Sequence, residues 1–328
     1  MTEKGDMFES RVDLTKLSES IAKTKSEIGK VIVGQDRMIE LLMAAILADG
    51  HVLIEGVPGV AKTLTARILS RIISAGFSRV QFTPDLMPSD ILGTSIYNLK
   101  TSQFEFKAGP IFSNIILIDE INRAPAKTQS ALFEVMEERQ VTLDGTTHSL
   151  DSPFMVVATQ NPIDLEGTYR LPEAQLDRFL FKIEVDYPAL DEEIMILEGH
   201  HQIRNLHHGL SQINPVLNAE QISDFRKTVG AIHVDKPLFK YIAQIIEETR
   251  NNKSLFLGGS PRASIYLLFG AKAMAAIRGR DFITPEDIKD IAFPVLNHRI
   301  IMTPEKEMEG VTSRLIIEQI VDKIEVPR

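Results

Sequence analysis

The chain has 328 residues, room for roughly two domains at ~100–200 residues each. Hydrophobic residues make up 44% and charged residues 25%, the balance of a globular protein. A net charge of -9 without any Lys/Arg run argues against a duplex nucleic-acid partner, and the absence of cysteine excludes a disulfide framework.

The N-terminal "MTEKGDMFESRVD" lacks the apolar core of a secretory signal, and no apolar run reaches the ~20 residues needed to span a bilayer. A cytoplasmic protein is expected. Leu14, Leu17, Ile21 and Ile28 fall near helical spacing, which predicts a first helix over about Leu14 to Lys30. "RMIELLMAAILADG" predicts a strongly apolar helix with Gly50 as its C-cap. "HVLIEG" reads as a buried strand running into the glycine loop "GVPGVAKT". The helix "TLTARILSRIISAG" follows, closed by Gly76.

Four more short apolar runs, "RVQF", "NIILID", "PFMVVAT" and "LFKIEV", alternate with helical stretches such as "KTQSALFEVMEER". That alternation predicts a parallel α/β sheet covered on both faces. After about Pro188 the strand signal stops. Leu238, Ile242, Ile245 and Thr249 share one helical face, and "ASIYLLFGAKAMAAI" and "PEDIKDIAFPVL" also read as helices. Thr284 is placed as an N-cap with Pro285 at the first helical position. The expected organisation is a nucleotide-binding α/β domain over residues 1–190, a linker over 191–217 and a small all-helical domain over 218–328.

"GVPGVAKT", Gly56 to Thr63, is nearly the phosphate-binding pattern G-x-x-x-x-G-K-[ST], with Ala61 where the second glycine belongs. Such a loop aims backbone N–H groups at phosphates from a helix N-terminus, so a single added methyl leaves the donors in place. Lys62 would reach the β- and γ-phosphates and Thr63 would bind magnesium. "NIILIDE" ends a buried strand in Asp119 and Glu120 at the sheet edge where ligands bind. Asp119 would hold the magnesium and Glu120 would serve as general base. "VVATQNP" ends in Asn161, placed to orient the water or touch the γ-phosphate. Each motif has a plain structural alternative: a Gly/Pro turn, a solvated acidic turn, and a turn-forming Asn before Pro162.

These motifs occur in order with "FTPDLMPSDILGT", "FKAGPIF", "DEINRAPAKTQSALFEVMEERQVT", "ATQNPIDLEGTYRLPEAQLDRF", "GGSPRA" and "ITPEDIKDIAFPVLNHRI". Over about Val31 to Leu315 the chain resembles the MoxR family of AAA+ ATPases, in which an alanine before the lysine is common. The resemblance implies a P-loop AAA+ core with a parallel sheet, followed by a small helical lid. It implies that Val33 and Gly34 line the nucleotide pocket. Gly56, Val57, Pro58, Gly59, Val60 and Ala61 join them, with Lys62, Thr63 and Leu64 at the start of the helix. It matches Arg178 in "LDRF" to an arginine that reaches the nucleotide of a neighbouring subunit. The expectation here is that Arg178 lies beside the ligand end of the sheet. Arg262 in "GSPRA" matches a nucleotide-sensing arginine of the lid. A surface ion pair is the alternative for both.

The resemblance further implies a hexameric ring. "VTLDGTTHSLDSPF" reads as a hairpin on its "DG" turn. "TSIYNLKTSQFEFKAGPIF" resembles the insertion in the second helix of this branch. Both would face the pore or the partner, and Arg123 would lie at the subunit interface. The implied function is ATP hydrolysis driving chaperone-like remodelling of a partner protein, one with a von Willebrand factor A domain. A metal-chelatase ATPase subunit, a nucleic-acid motor and a non-hydrolysing scaffold are the alternatives. The pairs His200/His201 and His207/His208 lack a carboxylate or cysteine to complete a metal site and read as solvated linker.

Overall fold

The structure, a computed structural model, describes residues 12–57, 62–161, 168–202 and 213–327. Pro58, Gly59, Val60, Ala61, His207 and His208 lie outside the described residues. The chain opens with α1 (Thr15–Ile28) and α2 (Asp36–Leu47), then β1 (His51–Gly56), α3 (Lys62–Ile72) and β2 (Phe77–Gln81). Short α4 (Pro88–Leu92) leads into a hairpin of β3 (Gly93–Asn98) and β4 (Gln103–Ala108), and then β5 (Ile115–Asp119). Next come α5 (Ala126–Glu138), the hairpin of β6 (Gln140–Leu143) and β7 (Thr146–Ser149), β8 (Met155–Gln160), α6 (Glu173–Leu176) and β9 (Phe179–Val185). The helical part holds α7 (Leu190–Gln202), α8 (Ala219–Gly230), α9 (Lys236–Asn251), α10 (Pro261–Ile277) and α11 (Pro285–Leu296).

The main sheet has five strands in the order β2-β5-β8-β1-β9, all pairs parallel. Its strands are near-continuous apolar runs because both faces are covered. Ile54, Leu117, Val157 and Phe181 face a core shared with α1, α2, α3 and the helical part. Leu53, Ile116, Ile118, Val156 and Phe179 face a second core beneath α5. The period-2 alternation of a strand sorts them.

β9 is an edge strand, and its outward carbonyls would be open to pairing. The residues after α11 cover them: Asn297 Nδ2 donates to Lys182 O (3.3 Å), His298 Nε2 meets Phe179 O (3.0 Å) and Arg299 Nη1 donates to Leu180 O (3.4 Å). The small domain is not purely helical. Leu255–Leu257 and Ile301–Met302 form a short antiparallel pair, too brief to leave a periodic signal. The stretch expected to be linker carries α7 over Leu190–Gln202.

Two helix ends differ from expectation for one reason. α2 ends at Leu47, and Asp49 (φ 55), not Gly50, takes the left-handed conformation. A Cβ on Gly50 would sit 2.5 Å from Leu180 Cβ, so its glycine answers a close approach. After α3, Ser74 (φ 50) does the same ahead of Gly76. By contrast the "DG" turn is as read: Asp144 (φ 48) and Gly145 (φ 79) close the β6–β7 hairpin.

His51 starts β1 at the edge opposite the glycine loop. Its Nδ1 accepts from Val156 N–H (3.0 Å), so the proton sits on Nε2, which faces Met136 O (3.2 Å). Burial drives its pKa from 6.5 down to about 3. The unfolded chain therefore binds a proton that the fold refuses. His51 contributes stability in full above pH ~6.5 and loses it as pH falls toward 3. Urea unfolding across pH 4–6 is expected to show His51→Gln with a shallower loss than wild type, by about one proton in slope. An unchanged slope would contradict the buried neutral imidazole.

Candidate nucleotide site

The parallel sheet brings the C-terminal ends of its five strands to one edge. Gly56 leaves β1 beside Val185 of β9; a Cβ there would lie 2.6 Å from the Val185 carbonyl oxygen. That approach requires glycine whatever the loop binds. Lys62 opens α3, and its Nζ donates to Gly56 O at 2.7 Å. Burial lowers the lysine pKa, while the charges of Asp119, Glu120 and Glu55 pull it back up. Thr63 follows in the first turn, and Val57 and Leu64 pack partly buried against the larger core. Gly34 (φ 70) lies against α7, where a Cβ would meet the Glu192 carboxylate at 2.5 Å. Gly34 thus sits against the helix that follows the same end of β9, with Val33 just before it in the chain.

The carboxylates lie one strand further over. Asp119, buried at the end of β5, takes a salt bridge from Arg79 Nε at 2.6 Å and a hydrogen bond from Thr159 Oγ1 at 3.2 Å. Glu120 (φ 56) occupies the left-handed region, and its N–H donates to the same Thr159 hydroxyl at 3.1 Å. A non-glycine residue held there is characteristic of a constrained site. Its carboxylate oxygen Oε2 is met by Gln81 Nε2 (2.8 Å) and Arg123 Nε (3.1 Å). Arg123 therefore contacts Glu120 directly, beyond the interface role expected of it. Asn161 follows Gln160, which lies level with Glu55 of β1, so it joins the same edge.

Arg79, Gln81 and Thr159 were not legible as site residues. Each sits in a short strand, and only the strand order places β2 and β8 on either side of β5.

The donor set suits magnesium, which takes hard oxygen ligands and keeps several waters. Asp119 offers carboxylate oxygens and Thr63 a hydroxyl. Asp119 Oδ1 accepts from Thr159 and Oδ2 from Arg79, and a carboxylate oxygen has a second lone-pair site.

The expectation for Arg178 is corrected. Phe179 pairs with His51 at the start of β1, whereas Gly56 pairs with Val185. Arg178, one residue before Phe179, thus lies at the opposite end of the sheet from its own glycine loop, about 20 Å away at the ~3.3 Å rise of a parallel strand. Its Nη1 donates to Phe133 O (2.8 Å) and pairs with Glu137 (3.1 Å) near the C-terminus of α5. Arg262 is also at that far end: its Nη2 pairs with Glu137 at 2.7 Å and its Nη1 is 4.0 Å from Asp177. The structure brings the two arginines together on one carboxylate and brings neither to the site of its own chain.

A sheet that presents a lysine and paired carboxylates at its C-terminal edge, followed by a helical domain along one side, has the architecture of a P-loop ATPase with a lid. Residues 51–181 match the family model for the ATPase family associated with various cellular activities (AAA), and residues 247–320 match the AAA lid domain. The chain is 40% identical to the chaperone MoxR1 of Mycobacterium tuberculosis, covering 92% of this chain and 81% of that one. It is 46% identical to YeaC of Bacillus subtilis, an uncharacterized protein, covering 94% and 95%. A crystal structure from Cytophaga hutchinsonii superposes with a TM-score of 0.88 at 44% identity, over 95% and 97% of the two chains. The chain belongs to the MoxR family of AAA+ ATPases.

Lys62, at the head of α3 against Gly56, is the candidate phosphate contact of this edge. Lys62→Ala is expected to abolish the heat of ATP binding in titration calorimetry; undiminished affinity would show that the phosphates sit elsewhere.

Proposed function

We propose that the chain assembles into a hexameric ring, hydrolyses ATP with magnesium between subunits, and uses the turnover to remodel or assemble a partner protein with a von Willebrand factor A domain. The observation that carries this reading is the separation of Arg178 from its own glycine loop across the length of the sheet. An arginine so placed has no phosphate of its own to reach. A neighbour that docks its strand-end edge against the Arg178 face supplies one.

In this mechanism Lys62 and the loop backbone hold the phosphates, with Val33 and Gly34 flanking the nucleotide. Thr63 and Asp119 would hold a magnesium ion, which would supply neutralisation of the phosphate charge. Glu120 takes the proton of the attacking water, and Gln81 and Arg123 fix its carboxylate. Thr159 ties Glu120 to Asp119, so base and metal ligand keep one relative position. Asn161 orients the water. Arg178 from the next subunit stabilises the charge that develops on the transferring phosphoryl group, a contribution of about 10³–10⁵ in rate in related systems. Arg262 approaches the same neighbouring nucleotide. To do so both arginines must leave Glu137.

The remodelling role draws support from the relative named as a chaperone, which matches across most of this chain. The chelatase alternative shares most motifs, but the block from Asp119 to Thr142 is more like that of the MoxR family. The β3–β4 hairpin offers a surface for the partner, with Ile96, Tyr97, Leu99 and Phe104 exposed. On the same reading residues 1–190 form the ATPase domain and 218–328 the lid, in a cytoplasmic protein. Among the described residues no helix is long and apolar enough to cross a membrane.

Two inactive variants test the shared site. Arg178→Ala keeps the loop and lacks the arginine; Lys62→Ala keeps the arginine and lacks the loop. Mixed rings contain interfaces with one intact half from each, and their ATPase activity is expected to recover. Rings shown by native mass spectrometry to be mixed, yet inactive, would mean that Arg178 does not act between subunits.

A further inference from the structure

The segment that carries Arg178 is gripped by the lid of its own chain. Arg299, almost fully buried, donates from Nε to Asp177 Oδ1 at 2.8 Å and from Nη2 to Asp177 O at 2.9 Å. It also donates to the carbonyls of Phe179 and Leu180. Tyr266 Oη donates to Arg178 O at 3.3 Å, and the Tyr266 ring lies 4.8 Å from the Arg299 guanidinium. Ser260 Oγ donates to the Asp177 carboxylate at 3.0 Å. Four consecutive carbonyls, from Asp177 to Leu180, thus accept hydrogen bonds from lid side chains. A single planar fork spans three of them, and no lysine reproduces that geometry.

The same lid helix is tied to the nucleotide side of the core. Arg37, at the start of α2 just after Val33 and Gly34, pairs with Asp290 of α11 at 2.8 Å. Arg299 follows the C-terminal end of α11 by three residues. The stretch from Asp290 to Arg299 therefore joins the start of α2 to the segment that carries Arg178.

We propose that Arg299 is a positioning residue for Arg178: with Tyr266, it makes the arginine move with the lid and sets how it approaches the nucleotide of the next subunit. The proposal rests on the reading that Arg178 acts between subunits. Mere sealing of the β9 edge is the competing account, and the two differ in which subunit should suffer when Arg299 is changed.

The mixed ring separates them. Lys62→Ala subunits donate the arginine, and Arg178→Ala subunits supply the loop. Arg299→Lys is added to the donor in one preparation and to the acceptor in another. In the donor, kcat of the mixed ring is expected to fall about tenfold or more with KM for ATP within about twofold, because the arginine acts on the transition state. In the acceptor, recovered turnover stays at the level of the parental pair. Tyr266→Phe, which removes one hydroxyl, is expected to give a smaller donor-only loss and carries the comparison if Arg299→Lys does not fold. Equal losses in both placements, or no loss in the donor, overturn the proposal while recovery by the parental pair stands. If the parental pair recovers nothing in rings shown to be mixed, the reading between subunits falls and the proposal falls with it.

Discussion

A parallel sheet has two chemically different ends. At one, every strand delivers its last residue and the chain turns toward a helix N-terminus, where backbone N–H groups gather. At the other, helices arrive and strands begin. In this protein the first end holds Gly56, Lys62, Asp119, Glu120 and Asn161, and the second holds Arg178, Arg262 and Glu137. The register between β1 and β9 fixes the gap between them. Chemistry that needs both sets cannot close within one copy of the chain. The proposed assembly and the control by neighbours rest on that separation.

Electrostatics make each end a closed local circuit. Lys62 is half-buried among Glu55, Asp119 and Glu120, so its positive charge is balanced before any phosphate arrives. Thr159 couples the carboxylate of Asp119 to the backbone of Glu120 through one hydroxyl. At the far end Glu137 accepts from both arginines. Behind it, burial lowers the pKa of Arg299 to about 10, which still leaves it charged at neutral pH against Asp177. A buried pair of this kind costs desolvation and is weak evidence for stability alone. Its value here is that the guanidinium fork, with the Tyr266 hydroxyl, fixes the direction of four successive peptide groups.

Much of this was legible in the residues because local chemistry demanded it. A glycine where a Cβ would strike a carbonyl, a buried strand ending in two carboxylates and a "DG" turn each announce themselves within a few positions. The capping of α11 by Thr284, with Pro285 following, is equally local. What stayed hidden depends on residues far apart in the chain. Arg79, Gln81 and Thr159 enter the site through strand order alone. The placement of Arg178 beside the ligand end failed because "LDRF" precedes its strand: in the parallel sheet that the alternation predicts, a residue ahead of a strand falls at the end opposite the ligand edge. Gly50 and Gly76 look like helix caps, but Asp49 and Ser74 adopt the left-handed turn, because tertiary contacts had already claimed the glycines. The grip of Arg299 on β9 spans over a hundred positions, and no periodicity marks it.

The most direct measurement is a structure of the Glu120→Gln ring with ATP and magnesium bound, since on this account the change removes the base while keeping a carboxamide in place of the carboxylate. The account predicts that the Arg178 guanidinium has left Glu137 and lies within hydrogen-bonding distance of the γ-phosphate held by the adjacent subunit. An Arg178 that remains on Glu137 with no neighbouring phosphate in reach, or that contacts the nucleotide of its own chain, would contradict it.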